Sequence, residues 1–272
     1  MSKFKDLAPR IASALVGAVL IISGLLWNEW AYFGIFLTIS CLTLWEFYRL
    51  MRLQSYVPIR SLGVFIGALL FTLTFLIEDG IIPSSYYIAL FPLASFVFLI
   101  KLYKKEDIHP FINIALFYLG ILYVAVPFAL INVLTFSSGD YSYHVIMGLL
   151  FLTWANDVGA YFSGILFGKT KLFERISPKK SWEGSIGGGV FAIATSWVIH
   201  PYFDELNQIE WIVVAIIVVI AGTYGDLVES HFKRSMQIKD SGSAIPGHGG
   251  FLDRFDSFLL AVPFVAVFLK LF

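Results

Sequence analysis

Apolar residues in this chain run in long blocks separated by short polar intervals. The blocks cover residues 10–27, 31–50, 61–77, 84–102, 111–135, 144–168, 184–203, 211–228 and 255–271. Each is about 17–25 residues long, the length an α-helix needs to cross the hydrocarbon core of a bilayer. The pattern predicts an all-α, polytopic integral membrane protein with about nine transmembrane helices. The first block follows Lys3, Lys5 and Arg10, as the apolar region of a signal peptide would. Leu25-Leu26-Trp27 stands where a small-x-small cleavage site would have to be, so the block reads as an uncleaved membrane helix.

Composition agrees with the pattern. The chain has 272 residues, of which 58% are hydrophobic and only 14% charged, against about 25% in soluble domains. Its mean hydropathy is +0.80. These values speak against the alternative, a soluble bundle of buried helices. The single cysteine, Cys41, excludes an intramolecular disulfide, and inside an apolar block it reads as a small buried hydrophobe. No long basic tail, low-complexity tract or repeat is present, so nucleic-acid binding has no support.

A formal net charge of zero conceals an asymmetry. With the N-terminus in the cytoplasm, the cytoplasmic segments hold every one of the 19 Lys and Arg residues except Lys270. The opposite loops hold Glu29, Glu78, Asp79, Asp140, Asp204, Glu205 and Glu210, and neither Lys nor Arg. This positive-inside pattern predicts an N-in, C-out topology. The chain divides into an N-terminal region, 1–143, with about five spans, and a C-terminal region, 144–272, with about four. The loops 169–183 and 229–254 are then cytoplasmic, within reach of nucleotides, while the helices admit lipid.

Candidate chemistry gathers in the C-terminal region. Asp157 lies about eleven residues before a basic loop, hence roughly 16 Å into the membrane. Ionised carboxylates are costly there, and such acids are functional candidates by default. Asn156, Gly159, Ala160, Ser163 and Gly164 beside it predict a tightly packed or water-lined helix face. Asp226 and Glu229 close the eighth block with i, i+3 spacing, and Asp253 and Asp256 repeat that spacing where the ninth begins. Four carboxylates on two helix ends suit Mg²⁺, which takes a few carboxylates plus water and substrate phosphates. Acids at a helix N-terminus also complement the dipole, which accounts in part for Asp253 and Asp256 but not for Asp226 and Glu229.

Pro246-Gly247-His248-Gly249-Gly250 leads into the last block. Glycine turns at a helix N-terminus present backbone N–H groups to anions. With Lys233, Arg234, Lys239 and Arg254 nearby, phosphate binding by Gly249, Gly250 and His248 is the preferred reading over a plain turn. In the other loop, Lys179 and Lys180 follow Ser177-Pro178, and they either clamp phosphates or simply obey the positive-inside rule. Glu46 could pair with Arg49 at i, i+3, a structural role. Gly164 to Thr170 imitates a Walker A loop but has three residues between its glycines, where four are required.

The stretch from Ser230 to Asp256 resembles the signature of the phosphatidate cytidylyltransferases, S-x-[apolar]-K-R-x4-K-D-x-[small]-x2-[apolar]-P-x-H-G-G-[apolar]-x-D-R-x-D. Here the pattern falls on Ser230, Phe232, Lys233-Arg234, Lys239-Asp240, Gly242, Ile245-Pro246, His248-Gly249-Gly250, Phe251, Asp253-Arg254 and Asp256, without departure. Asp157 to Tyr161, Gly168-Lys169, Ile176 to Gly184 and Gly225 to Ser230 are also similar to the family. The similarity is strong over about residues 153–257, while Trp45-Glu46-Phe47-Tyr48 is a weaker echo.

The resemblance implies the reaction of CTP with phosphatidate to give CDP-diacylglycerol and pyrophosphate. It implies metal ligation by Asp226, Asp253 and Asp256, with Glu229 and Asp157 as further ligands or outer partners. Lys233, Arg234, Lys239, Arg254, Lys179 and Lys180 would bind phosphates, with Ser177, His248 and the Gly249-Gly250 backbone beside them. Expected cofactors are Mg²⁺, more than one ion, with a monovalent ion as a further candidate. A homodimer is also implied; if the source is prokaryotic, the expected location is the inner membrane, with the site facing the cytoplasm as the charge pattern predicts. A CTP-dependent polyprenol or lipid kinase and a polytopic transporter are the rival functions.

Overall fold

A computed structural model describes residues 7–53, 56, 58–242, 244, 245 and 249–272. The architecture is nearly all-α, as the apolar blocks predict. The helices are α1 (Leu7–Trp27), α2 (Glu29–Leu53), α3 (Arg60–Glu78), α4 (Leu90–Tyr103), α5 (Pro110–Gly120), α6 (Val126–Thr135), α7 (His144–Phe167), α8 (Trp182–Ile199), α9 (Gln208–Ser235) and α10 (Leu252–Leu271). A 3₁₀ turn, Ser84–Ala89, leads into α4, and a π turn, Ile121–Ala125, joins α5 to α6. The wide turn ends two residues before Pro127, which has no N–H to offer a regular ladder. Among the described residues, six stretches are long and apolar enough to cross a membrane: Glu29–Arg52, Arg60–Glu78, Ser84–Tyr103, Pro110–Thr135, His144–Phe167 and Gln208–Ser235.

The all-α expectation is corrected in one place. The loop after α7 folds into an antiparallel hairpin of β1 (Lys171–Phe173) and β2 (Ser177–Ser181). Pro178 lies in β2, tolerated because both strands of a two-stranded ribbon are edges. The other predicted loop, 229–254, is shorter than expected, because α9 continues to Ser235. Gln237, at φ 58°, then takes the left-handed conformation. Ile238 N bonds Lys233 O at 3.0 Å and Gln237 N bonds Arg234 O at 3.0 Å, a Schellman closure of the helix.

Contacts group the chain into two compact units: residues 1–139 with 240–254, and residues 140–239 with 255–272. The first unit holds α1 to α6 and the Asp240–Arg254 segment. Its apolar centre includes Phe36, Leu44, Phe47, Phe71, Phe75, Phe117 and Phe128. The Tyr48 ring lies flat against Gly63 and Gly120, where an added Cβ would stand 2.4 Å and 2.6 Å from it, and its hydroxyl donates to Phe117 O at 2.6 Å. Several polar groups inside this unit are paired. Tyr32 Oη donates to Asn132 Oδ1 at 2.7 Å, and Asn132 Nδ2 donates to Phe71 O at 3.1 Å. Such pairing matters in lipid, where an unsatisfied polar group has no water to turn to.

In the second unit, α7 and α8 pack most closely. Apolar burial does not drive helix pairing in lipid, so close contact of small residues must. Gly184 and Gly188 of α8 face Ala160 and Asn156 of α7; a Cβ at Gly188 would come within 2.5 Å of Asn156 Oδ1 and 2.7 Å of its carbonyl. Ser181 caps α8 by accepting Gly184 N at 3.1 Å. Asn207 and Glu210 form a reciprocal capping box at the start of α9. From Gly222 and Gly225, α9 lies against the Asp256–Leu260 turn of α10, with the Asp256 carbonyl only 2.6 Å from where a Gly225 Cβ would be.

Candidate active site

The tight α7–α8 contact opens, toward the hairpin, into a cavity of about 240 Å³ inside the second unit. Its walls are Asn156, Asp157, Ala160, Tyr161 and Gly164 of α7, Lys179 to Ser181 of β2, Gly184 and Ser185 of α8, Gly222, Thr223 and Asp226 of α9, and Ser257 of α10. Small residues at 160, 164, 184 and 222 create the space, because larger side chains there would fill it. Sequence reasoning singled out Asp157, Lys179, Lys180 and Asp226, and the fold brings all four to one cavity. It did not single out Thr223, Ser257 or Ser181. A polar residue one helical turn before Asp226, on the same α9 face, was the available signal for Thr223.

Opposite charges meet across this space. Lys180 Nζ lies 2.6 Å from Asp226 Oδ2 and donates to Thr223 O at 3.4 Å. Ser230 Oγ donates to Asp226 Oδ1 at 3.1 Å. Asp256, whose carboxylate accepts Ser257 N at 2.7 Å, lies within electrostatic reach of Asp226, Lys233 and Asp157. Asp226 and Glu229, at i, i+3 spacing, meet different surroundings. Three residues turn a helix by about 300°, leaving about 60° between side chains, and Glu229 falls inside the packing, fully buried, with Lys233 Nζ 2.5 Å away. Beyond them, Arg234 donates to Ile238 O at 3.2 Å, and Lys239 is exposed.

The hairpin that carries Ser177, Lys179 and Lys180 is held from its root. Glu183, the first acid of α8, accepts the N–H groups of Lys169 and Thr170 at 3.1 Å. Its own backbone N–H and those two hold its carboxyl down at about 2. Trp182 N bonds Thr170 O at 3.0 Å and closes the loop.

The remaining predicted residues belong to the first unit. Asp253 accepts Ser241 N at 2.9 Å and Gly250 N at 2.9 Å, so these N–H groups are taken up within the segment. Gly249 has φ +82°, and a Cβ there would meet Asp253 Oδ2 at 2.5 Å, so glycine is required twice over. Arg254 is exposed. His248 lies outside the described residues. Glu46, expected to have a structural role beside Arg49, is nearly buried and accepts Phe251 N at 3.0 Å, Leu252 N at 3.3 Å and the Ser241 hydroxyl. An acid inside an apolar block, near the end of residues 31–50, was the signal that could have marked it.

Among the described residues, no three His, Cys, Asp or Glu side chains form a ready-made metal cage. The donor set still suits a hard divalent cation, which takes one or two carboxylates and completes its shell with water and phosphate oxygens. Asp226 opens on the cavity with Asp256 and Asp157 in its neighbourhood.

Comparison with known proteins gives this geometry a family. The chain is 34% identical over 283 residues to the phosphatidate cytidylyltransferase of Haemophilus influenzae, covering 96% of this chain and 98% of that one. The phosphatidate cytidylyltransferase of Staphylococcus haemolyticus is 37% identical over 177 residues, covering 64% of this chain and 66% of its own. That of Staphylococcus aureus is 36% identical over a stretch of the same length. The cytidylyltransferase family matches from residue 8 to residue 272. With its whole helical length matched in this way, the chain belongs to the cytidylyltransferase family.

Proposed function

We propose that the protein makes CDP-diacylglycerol and pyrophosphate from CTP and phosphatidate, using the cavity between α7, α8, α9 and the hairpin. The observation that carries this reading is the facing of Lys179 and Lys180 against Asp157 and Asp226 inside a membrane-helix bundle of this family. A phosphate ester near neutral pH is already an anionic nucleophile, so no activated serine is needed. An oxygen of the lipid phosphate attacks the α-phosphorus of CTP, a new P–O bond forms, and the bond to the bridging α–β oxygen breaks to release pyrophosphate. The obstacles are alignment and crowded negative charge. Lys180, poised beside Asp226, exchanges that carboxylate for a phosphate oxygen when substrate enters, and Lys179 and Lys233 add positive charge. Mg²⁺ held by Asp226 and Asp256, with Asp157 behind them, would neutralise phosphate charge and favour the leaving group.

The same proposal includes about nine crossings, N-in and C-out, with the hairpin and the α9–α10 connection on the cytoplasmic side, where CTP is. The positive-inside distribution supports it. In a bacterium this is the inner membrane.

Purified protein given CTP labelled in the α-phosphate, with phosphatidate and Mg²⁺, should yield labelled CDP-lipid and unlabelled pyrophosphate. Transfer of the γ-phosphoryl group, with release of labelled CDP, would indicate a lipid kinase instead. Lipid flux into vesicles without CTP turnover would indicate a transporter.

A further inference from the structure

We propose that Glu46, in the N-terminal half of the chain, is a positioning residue for the reaction, acting through Ser241 on the Asp240–Arg254 segment. The inference rests on the function proposed above, together with the signature resemblance that assigns Asp253, Gly249 and Gly250 of this segment to metal and phosphate binding.

Glu46 lies in α2 with 5% of its surface exposed. A buried carboxylate is costly unless it is met by donors, and here the donors come from the segment 195 to 206 residues away. Phe251 N reaches Oε2 at 3.0 Å, Leu252 N reaches Oε1 at 3.3 Å, and the Ser241 hydroxyl bonds Oε1. Leu252 opens α10 and Phe251 directly precedes it, so a carboxylate from α2 caps a helix whose own sequence supplies no Ser, Thr or Asn there. The anion also sits at the positive end of that helix. One turn along α2, Arg49 Nη2 donates to Ser241 O at 3.4 Å, so α2 grips Ser241 by both its hydroxyl and its carbonyl.

Ser241 passes this constraint on. Its N–H goes to Asp253 Oδ2 at 2.9 Å, and Gly250 N goes to the same oxygen at 2.9 Å. Glu46, Ser241 and Asp253 are therefore linked in series, and the direction of the Asp253 carboxylate depends on Glu46. The glycines of the segment fit this account. A Cβ on Gly250 would lie 1.8 Å from Glu46 Oε1, and one on Gly242 would lie 3.0 Å from Oε2 and 2.9 Å from Arg49 Nη2. Both positions are small because the backbone must close on the α2 acid.

The test uses full-length protein purified in detergent, with steady-state constants for CTP and phosphatidate, thermal unfolding, and amide exchange at Phe251 and Leu252. Glu46→Gln keeps the volume but presents an amide donor to backbone donors. It should unfold within about 5 °C of wild type, speed exchange at Phe251 and Leu252, and lower kcat/KM for CTP at least about tenfold, since misplacement by an ångström costs that much or more. Ser241→Ala removes one hydroxyl, keeps the fold, and should move the same constant in the same direction. The double variant should lose little more than Glu46→Gln alone, because the two act in series. Glu46→Asp, which keeps the charge, should recover part of the loss. Wild-type constants in both Glu46→Gln and Ser241→Ala, after correction for folded fraction, would overturn the proposal. Strictly multiplicative losses in the double variant would do the same. If wild-type protein itself makes no CDP-lipid, the functional reading fails, and exchange at Phe251 and Leu252 still reports whether Glu46 holds the segment.

Discussion

Lys180 Nζ and Asp226 Oδ2 lie 2.6 Å apart, joining the hairpin to α9 across the cavity. Both side chains remain partly open, at 26% and 34%. A half-exposed ion pair adds only about 0.2–1 kcal/mol to stability. On the proposed function the pair is a placeholder for substrate charge, and this separates two observables. Lys180→Met should leave the unfolding temperature within a few degrees of wild type, while kcat/KM falls by about 10² or more, as when one transition-state donor is removed. Calorimetry and steady-state turnover on the same preparation check both halves.

The α7–α8 contact makes a prediction about stability. Gly188 rests against the Asn156 carbonyl, which cannot rotate aside. Gly188→Ala should force the helices apart and cost about 1–3 kcal/mol, the usual cost of overpacking. Gly17, with nothing near its absent Cβ, is the control, where the same change should be neutral or slightly stabilising. Denaturation in mixed micelles separates them.

A buried pair outside the cavity should behave in the opposite way to Lys180–Asp226. Lys101 and Asp107 bond each other with side chains 1% and 3% exposed, and Asn113 Nδ2 donates to Asp107 at 2.6 Å. Burial alone would raise the Asp107 pKa, but hydrogen bonds from Lys101 and Asn113 and the Lys101 charge bring it below the ordinary carboxylate value. Lys101→Met leaves that carboxylate buried without its cation and should cost about 3–5 kcal/mol. The double change Lys101→Met with Asp107→Leu should cost less than the single one, as thermal unfolding would reveal.

Glu183 gives a pH prediction. Its carboxyl is held at about 2, below the ordinary value of 4.5. A depressed carboxyl contributes stability that is complete above the ordinary value and is lost as pH falls toward the folded one. The hairpin root should therefore loosen between about pH 4.5 and 2. Exchange of the Lys169 and Thr170 amides, corrected for intrinsic rate, should rise in that window in wild type. In Glu183→Gln it should be raised already at neutral pH and lack that step.

Much of this fold is legible in the chain. Apolar blocks set where helices lie, because a bilayer leaves the backbone few other ways to satisfy its N–H and C=O groups. The hairpin was missed because its three-residue and five-residue strands are too short for a period to register. Asp157 and Asp226 were found because charge in an apolar block is rare, Lys180 because its loop resembles the family, and Glu229 was expected at the metal with the two acids. Helical spacing told that it shares a face with Asp226, not that packing would enclose it with Lys233.

The sequence by itself determined the class, the membrane setting, the family signature and the charged candidates for the chemistry, because each is a property of residue type and short-range spacing. Only the tertiary structure decided which of those charges meet. It gathered Asp157, Lys180 and Asp226 around a cavity opened by small residues on three helices. It also set Glu46 beneath a segment some two hundred residues away in the chain. Neither follows from local spacing, because each depends on how closely helix backbones approach, and that is fixed by side-chain volumes on separate elements.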